Sequence, residues 1–358
     1  MEEPTGRTGV IIRIFTVLGS LALSVAALAH HSPNVHFDRN DIVEIAGTLT
    51  EIEWRNPHTL LVVETVGDDG SEVVWLGETK ASTQLARAGL EPGIFHVGDS
   101  LRVAGFRGRR NPHAMFVTNV LLADGRELIA ENLAGPRWTE SLAGTALGDY
   151  QAAKIQSSTA TATGLFRVWS RDGSVSGTDD TERMLWRDSY PLTAQARADQ
   201  VTWDPVAENP YINCQNGMPA IMDQGYPLEF VQDGDDILLY LEELDTIRRI
   251  HMAADAGAGG AAPSPFGRSV GRWDGDTLEV TTTDIDWPWF DQSGIRQTDA
   301  LHLVERFTPS ADGRTLDYGL TVTDPAIFTE PVDLGRTWIW VPGEVIRPYD
   351  CAWDRDDL

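Results

Sequence analysis

The chain is 358 residues long, with 28 basic and 54 acidic side chains and a formal net charge of −26. A charge of that sign and size repels phosphate backbones and anionic lipid, which excludes nucleic acid and membrane surfaces as partners. At about 100–200 residues per domain, the length allows two domains with cores of their own.

The chain opens with Arg7 and Arg13, the apolar run Ile14 to Leu28, and Ala27-Leu28-Ala29, small residues suited to a cleavage site. We read residues 1–29 as a signal peptide, which places the working protein in the periplasm or outside the cell. The run is short for an anchor, and no later apolar stretch is long enough to span a bilayer, so no membrane insertion is expected after cleavage. The removed piece carries two Arg and two Glu, which leaves the net charge unchanged.

Cleavage would expose His30, followed by His31. An N-terminal His offers an amine and an imidazole on one residue. With a further imidazole from His58 or His113, that set can chelate Cu(II) in tetragonal geometry. These four histidines are the candidate metal ligands, and copper is the one candidate cofactor. The alternative is a solvated terminus with no metal.

Residues 30–130 alternate in the manner of strands. Ile42 to Trp54, Thr59 to Val66 and Glu72 to Glu78 are followed by a short helix over Lys80 to Ala88, then by Ser100 to Phe106 and Ala114 to Leu122. Five strands with a helix between the third and fourth is the order of an OB-type barrel. The tetrapeptide Arg55-Asn56-Pro57-His58 recurs as Arg110-Asn111-Pro112-His113, once in each of the two loops that flank the ligand face of such a barrel. Turn chemistry accounts for both copies without a ligand, because Asn-Pro opens turns.

The start His30-His31-Ser32…Phe37-Asp38, with Glu53-Trp54-Arg55-Asn56-Pro57-His58 and Gly98-Asp99, resembles an uncharacterised family of small exported bacterial β-domains over about residues 30–125. The resemblance implies export and an OB-like fold, and no chemistry.

Residues 131–160 are rich in Gly, Ser, Thr and Ala and read as a linker. The second domain, 161–358, opens with the strand Leu165 to Trp169 and a short helix from Pro191 through Ala198. Strands follow at Tyr226 to Val231, Asp236 to Glu242 and Thr246 to Met252, the first two joined by an Asp-Gly hairpin turn. The small-residue loop 253–262 leads into a meander from Gly267 to Trp340. About eight to ten strands with short turns predict an antiparallel barrel, wide enough at that count to enclose one small ligand. This region resembles the lipocalin-like superfamily in layout. Through Gly271-Arg272-Trp273-Asp274-Gly275-Asp276, Glu305-Arg306-Phe307 and Pro348-Tyr349-Asp350-Cys351 it also resembles the C-terminal region of other uncharacterised exported bacterial proteins. The superfamily implies apolar-ligand binding and, in some members, cofactor-free isomerase or cyclase chemistry. The fold expected overall is all-β, an OB-like barrel followed by a lipocalin-like one.

Strand parity sorts side chains to faces. Glu305 shares a face with Leu301, Leu303 and Phe307; Glu243 with Ile237, Leu239 and Leu241; Arg248 with Ile250 and Met252; Tyr318 with Leu316, Leu320 and Val322. A carboxylate on an apolar face is costly unless paired. Glu243, Glu305 and Arg248 are therefore expected as one internal cluster. They form either a structural ion pair or a site in which Arg248 orients a ligand and a glutamate moves protons. Tyr318, Trp287, Trp338 and Trp340 are the candidate ligand-lining residues. Cys214 and Cys351 are expected to form a disulfide in an oxidising compartment. No nucleophile elbow, phosphate loop, nucleotide fingerprint or zinc pattern is present. The functions left open are a binding protein for a small, largely apolar molecule, a cofactor-free enzyme using Glu243 and Glu305, and a copper-handling protein.

Overall fold

The computed structural model describes residues 36–351, apart from 68, 132–133, 145–146, 159–163, 173–188, 205–206, 224 and 254–261. The signal-peptide reading and the His30–His31 start fall outside the described residues.

The first strand, β1 (Phe37–Glu53), is long enough to serve two partners. Its first part pairs with β4 (Ser100–Gly108) and its last part with β2 (Leu60–Val66), the change falling at Thr48. Gly47 lies at that crossing, where a Cβ would come within 2.2 Å of the Glu64 carbonyl oxygen, so only glycine lets the strands approach. Strand β3 (Glu72–Glu78) pairs with β2 and, in parallel, with β5 (Ala114–Leu121), which returns to β4. The ring β1-β2-β3-β5-β4 is the expected five-stranded OB-like barrel. Its inward parity buries Leu49, Leu61, Val63, Val103, Met115 and Val117.

Two short strands, β6 (Glu127–Ile129) and β7 (Leu142–Ala143), extend the sheet beyond β5. The buried Glu127 carboxylate accepts from the amides of Arg137, Trp138 and Thr139, which pins that loop to the sheet. Helix α1 (Ser82–Arg87) follows β3, and helix α2 (Leu147–Ser157) packs against it. The stretch read as a linker therefore holds β7 and α2.

The second barrel comprises β8 (Val168–Arg171), β9 (Leu228–Asp233), β10 (Asp236–Leu241), β11 (Thr246–His251), β12 (Arg268–Asp274), β13 (Thr277–Thr283), β14 (His302–Pro309), β15 (Thr315–Thr323) and β16 (Val332–Ile339). They form one closed ring of nine strands, β16 pairing with β8. In a ring of purely antiparallel neighbours, directions alternate and the count is even. Nine strands therefore require a parallel pair, and here it is β11 and β12. The hairpins use two-residue turns, Gly234-Asp235 and Gly275-Asp276, with positive φ at the leading glycine, the position where such turns require it. A further helix, α3 (Ala194–Val201), is capped by the Thr193 hydroxyl.

The interior of this barrel is filled. Phe230, Phe307, Tyr318 and Trp338 stack in series with ring centroids 5.0, 4.9 and 5.2 Å apart. Leu239, Phe307, Leu316 and Trp338 have no accessible surface, so no water-sized space adjoins them. The chain also plugs its own barrel. Met218, Ile221 and Met222 are fully buried. Met222 lies inside the ring, its sulfur 3.2 Å from an Arg248 nitrogen of β11 and its carbonyl oxygen 3.3 Å from Arg336 of β16. Gly217, at the base of this plug, lies so close to Trp287 that a Cβ would be 2.4 Å from the ring. The hollow expected at the barrel centre is occupied by these side chains.

Cys214 and Cys351 form a disulfide. It ties the base of the plug to the C-terminal tail, which runs back to the first barrel. No helix among the described residues is long and apolar enough to cross a membrane.

Candidate functional site

Three polar assemblies stand out. The first lies at the barrel centre. Parity turns Arg248, Glu305 and Tyr318 inward, as expected, and they meet. Arg248 donates to both carboxylate oxygens of Glu305, at 3.0 and 2.6 Å, and the Tyr318 hydroxyl donates to Oε1 at 2.9 Å. Ser269 and Thr282 accept from the same guanidinium at 3.1 and 3.3 Å. Both terminal nitrogens of Arg248 are bonded, its Nε is buried without a hydrogen-bond partner, and Trp338 packs on Tyr318 rather than on a vacant space. Trp287 packs on the plug. Trp340 is half-buried beside Arg167, whose guanidinium carbon is 5.5 Å from the ring.

Glu243 does not join that pair. Strand β10 ends at Leu241, and the chain turns through a short 3-10 segment in which Leu244 is left-handed at φ 58°, so strand parity stops before Glu243. Glu243 belongs to a second assembly at the barrel mouth. It accepts from Asn216 at 3.1 Å, and Asn216 in turn accepts from the Tyr211 hydroxyl at 2.7 Å. Asp223 is paired with Arg336 at 2.9 Å. Tyr226 and Tyr349 meet edge to face at 5.2 Å. Burial pushes the Glu243 carboxyl up to about 7, and the Asp223 charge adds to the shift. It also raises the phenols of Tyr211, Tyr226 and Tyr349.

The third assembly lies between the barrels, and sequence reasoning missed it. Helix α1 has Ala81 at its N-terminal boundary, which offers no capping side chain. Asn56 supplies the cap from a distance. Its Oδ1 accepts from the Thr83 amide at 3.2 Å and the Ser82 hydroxyl at 2.9 Å. Its Nδ2 donates to Glu242 Oε1 at 3.0 Å. Glu242 also accepts from the Thr83 hydroxyl at 2.5 Å and the Arg347 amide at 2.7 Å. Burial holds Glu242 at about 7 against these donors. Beside it, Arg87 of α1 donates from Nε to Glu344 at 2.8 Å and from Nη1 to the Gly225 carbonyl at 2.7 Å. Its Nη2 is buried with no hydrogen-bond partner. Arg87, Thr83 and Ala86 of α1, Gln151 and Lys154 of α2, and Val341, Glu344 and Arg347 of the tail line a small, open cleft.

The two Asn-Pro-His copies thus part company. Asn56 is fully buried and joins the barrels, whereas Asn111 sits in an exposed hairpin loop and accepts from the His113 amide at 2.9 Å. Asn56→Ala is expected to cost about 2 kcal/mol in urea denaturation and Asn111→Ala less than about 0.5 kcal/mol. Equal effects would mean the junction contributes nothing.

His58 and His113 are not brought together. His58 Nδ1 lies 3.0 Å from the Thr79 carbonyl oxygen and 3.2 Å from buried Glu78, while His113 packs on the edge of Trp75. Those neighbours are three residues apart on β3, about 10 Å along the strand, too far for one ion. Among the described residues no three His, Cys, Asp or Glu side chains gather as a metal site.

Residues 19–116 match a family of unknown function (DUF6152). The match runs from upstream of β1 into β5 and so falls on the OB-like barrel, where the sequence resemblance also lay. It includes Asn56 and Arg87 and stops short of the second barrel. No curated protein matches the chain.

The two glutamates make stability depend on pH. Each carboxyl titrates near 7 when folded and near the ordinary 4.5 when unfolded, so the folded state holds protons that the unfolded state has released. Their contribution to stability should be greatest below about 4.5, fall as pH rises from there to about 7, and level off above. At about 1.4 kcal/mol per unit, each group accounts for roughly 3 kcal/mol of that fall. Glu243→Gln removes one of them. It should raise stability at pH 8 by up to about 3 kcal/mol relative to the parent and leave pH 4 nearly unchanged. Denaturation curves at the two pH values check this; an unchanged difference between them would refute it.

Proposed function

We propose that this is an exported binding protein that holds one small molecule in the cleft between α1, α2 and the C-terminal tail. The observation that carries the reading is the unpartnered Nη2 of buried Arg87 in the wall of that cleft. A buried donor left without an acceptor costs about 1–3 kcal/mol, and more when charged, which a ligand oxygen would recover. The barrel centre has an unpartnered donor of its own, the buried Nε of Arg248, but the packed side chains around it leave no space for a ligand. The second barrel and its plug then serve as the rigid support on which the tail and Glu242 are held. Export is supported by the disulfide and by the apolar segment near the start of the sequence. The net charge of −26 favours a small-molecule partner over nucleic acid or membrane.

A second reading, proton-transfer catalysis without a cofactor, is favoured by Glu242. It touches the cleft residues Thr83 and Arg347 and titrates near neutrality. Native mass spectrometry of protein purified from the periplasm tests the binding reading. The parent should carry a small-molecule adduct that is lost on Ala86→Trp, which fills the cleft. An adduct that persists in the filled variant, or none in the parent, overturns the assignment.

A further inference from the structure

We infer that the cleft takes a monocarboxylate with a short apolar tail, and that this ligand competes with the chain's own Glu344 for Arg87. The inference rests on the cleft being the binding site, as proposed above, and adds the class of ligand and the way it is admitted.

The guanidinium edge formed by Nε and Nη2 is one on which a carboxylate can make two parallel hydrogen bonds. In Arg87 that edge is half used. Glu344 Oε1 takes Nε at 2.8 Å, and Nη2 has no acceptor. Nη1 is anchored separately on the Gly225 carbonyl, so the group is fixed in orientation with its side edge under-filled. A carboxylate that takes both nitrogens gains a bond that Glu344 does not make. Glu344 is suited to giving way. It lies on the tail beside exposed Gly343, which has φ 79°, and among the described residues its carboxylate accepts from Arg87 alone.

The surroundings set the charge. Arg87, Lys154 and Arg347 line the cleft, against Glu91 and Glu344, an excess of one positive charge. A monoanion balances it. A dianionic phosphate would leave excess negative charge in a chain that already carries −26. The remaining walls include Ala86, Val341 and Val345, which suit an alkyl or small aromatic tail. Glu344 is itself a carboxylate on a short alkyl stem, so the chain already seats a group of this chemistry there.

Calorimetric titration of the full mature protein with butyrate tests the inference, with butyramide and inorganic phosphate as comparison probes. Butyrate should bind at one site per chain, at least tenfold tighter than either. Glu344→Gln, on a half-exposed tail, should tighten butyrate several-fold by removing the competitor, while Arg87→Gln and Ala86→Trp should abolish binding. Circular dichroism and thermal midpoints confirm that each variant is folded. If butyramide binds as well as butyrate and Ala86→Trp abolishes both, the cleft stands as a site and the carboxylate inference falls. If Glu344→Gln leaves butyrate affinity unchanged, the exchange is wrong. If butyrate binding survives Ala86→Trp, or none of the probes binds, the cleft itself is not the site.

Discussion

Glu305→Ala should cost the protein about 3–5 kcal/mol, read as a lower denaturation midpoint at unchanged slope. The change removes the acid bonded to Arg248, a residue 2 % exposed at the centre of the second barrel. The guanidinium cannot reach water there. Ser269, Thr282 and the Met222 sulfur cannot neutralise it. The cost is therefore that of a stranded charge and exceeds the net worth of the pair. A double replacement, Arg248→Met with Glu305→Leu, removes both desolvation penalties and should recover most of the loss. Tyr318→Phe deletes one hydrogen bond to the same carboxylate and should cost about 1 kcal/mol. A single variant less than about 1 kcal/mol below the parent, or a double variant no better than the single one, would show that the pair is not dehydrated.

Removing the disulfide by Cys214→Ala with Cys351→Ala should have an effect of similar size. The bridged residues are 137 apart, and loop-closure entropy at that separation is worth about 5 kcal/mol. The loss should appear in the parent on reduction and be absent in the double variant. A local consequence separates tethering from global stability. The amides of Arg347, Tyr349 and Asp350 are held by Glu242, Asp245 and the Asn56 carbonyl. In the double variant these amides should exchange with solvent faster than those of β14 and β15. Uniform acceleration across both sets would mean that the bridge acts on the unfolded chain alone.

What the sequence disclosed was what parity and pairing control. Alternation placed Glu305, Arg248 and Tyr318 on inward faces, and they meet. The order of strands and helix indicated the OB-like ring, and the two cysteines found each other. What it concealed depends on partners far along the chain. Two identical tetrapeptides carry no sign that Asn56 would reach Glu242, 186 residues away, while Asn111 stays in its own turn. A usable signal was Ala81: a helix start with no capping residue needs a hydrogen-bond acceptor from elsewhere. The plug was legible only as the short apolar run Met218 to Met222, too brief for a strand between Gly217 and Asp223. Glu243 was misplaced because parity was carried past Leu241, where β10 ends and the chain turns into a 3-10 segment. The cleft is assembled from α1, α2 and a tail that begins some 250 residues after α1, so no local pattern announces it.

The junction of β8 with β16 has a consequence for how the protein is made. These strands lie at opposite ends of the second barrel's sequence, with Arg171 facing Trp338. During synthesis the sheet cannot close until the segment 332–339 is available, and until then two bare strand margins remain open to foreign β-structure. A nascent chain of this design is most vulnerable to misassembly in its final stage. Truncation only a few dozen residues from the C-terminus should therefore yield aggregates rather than a smaller soluble barrel.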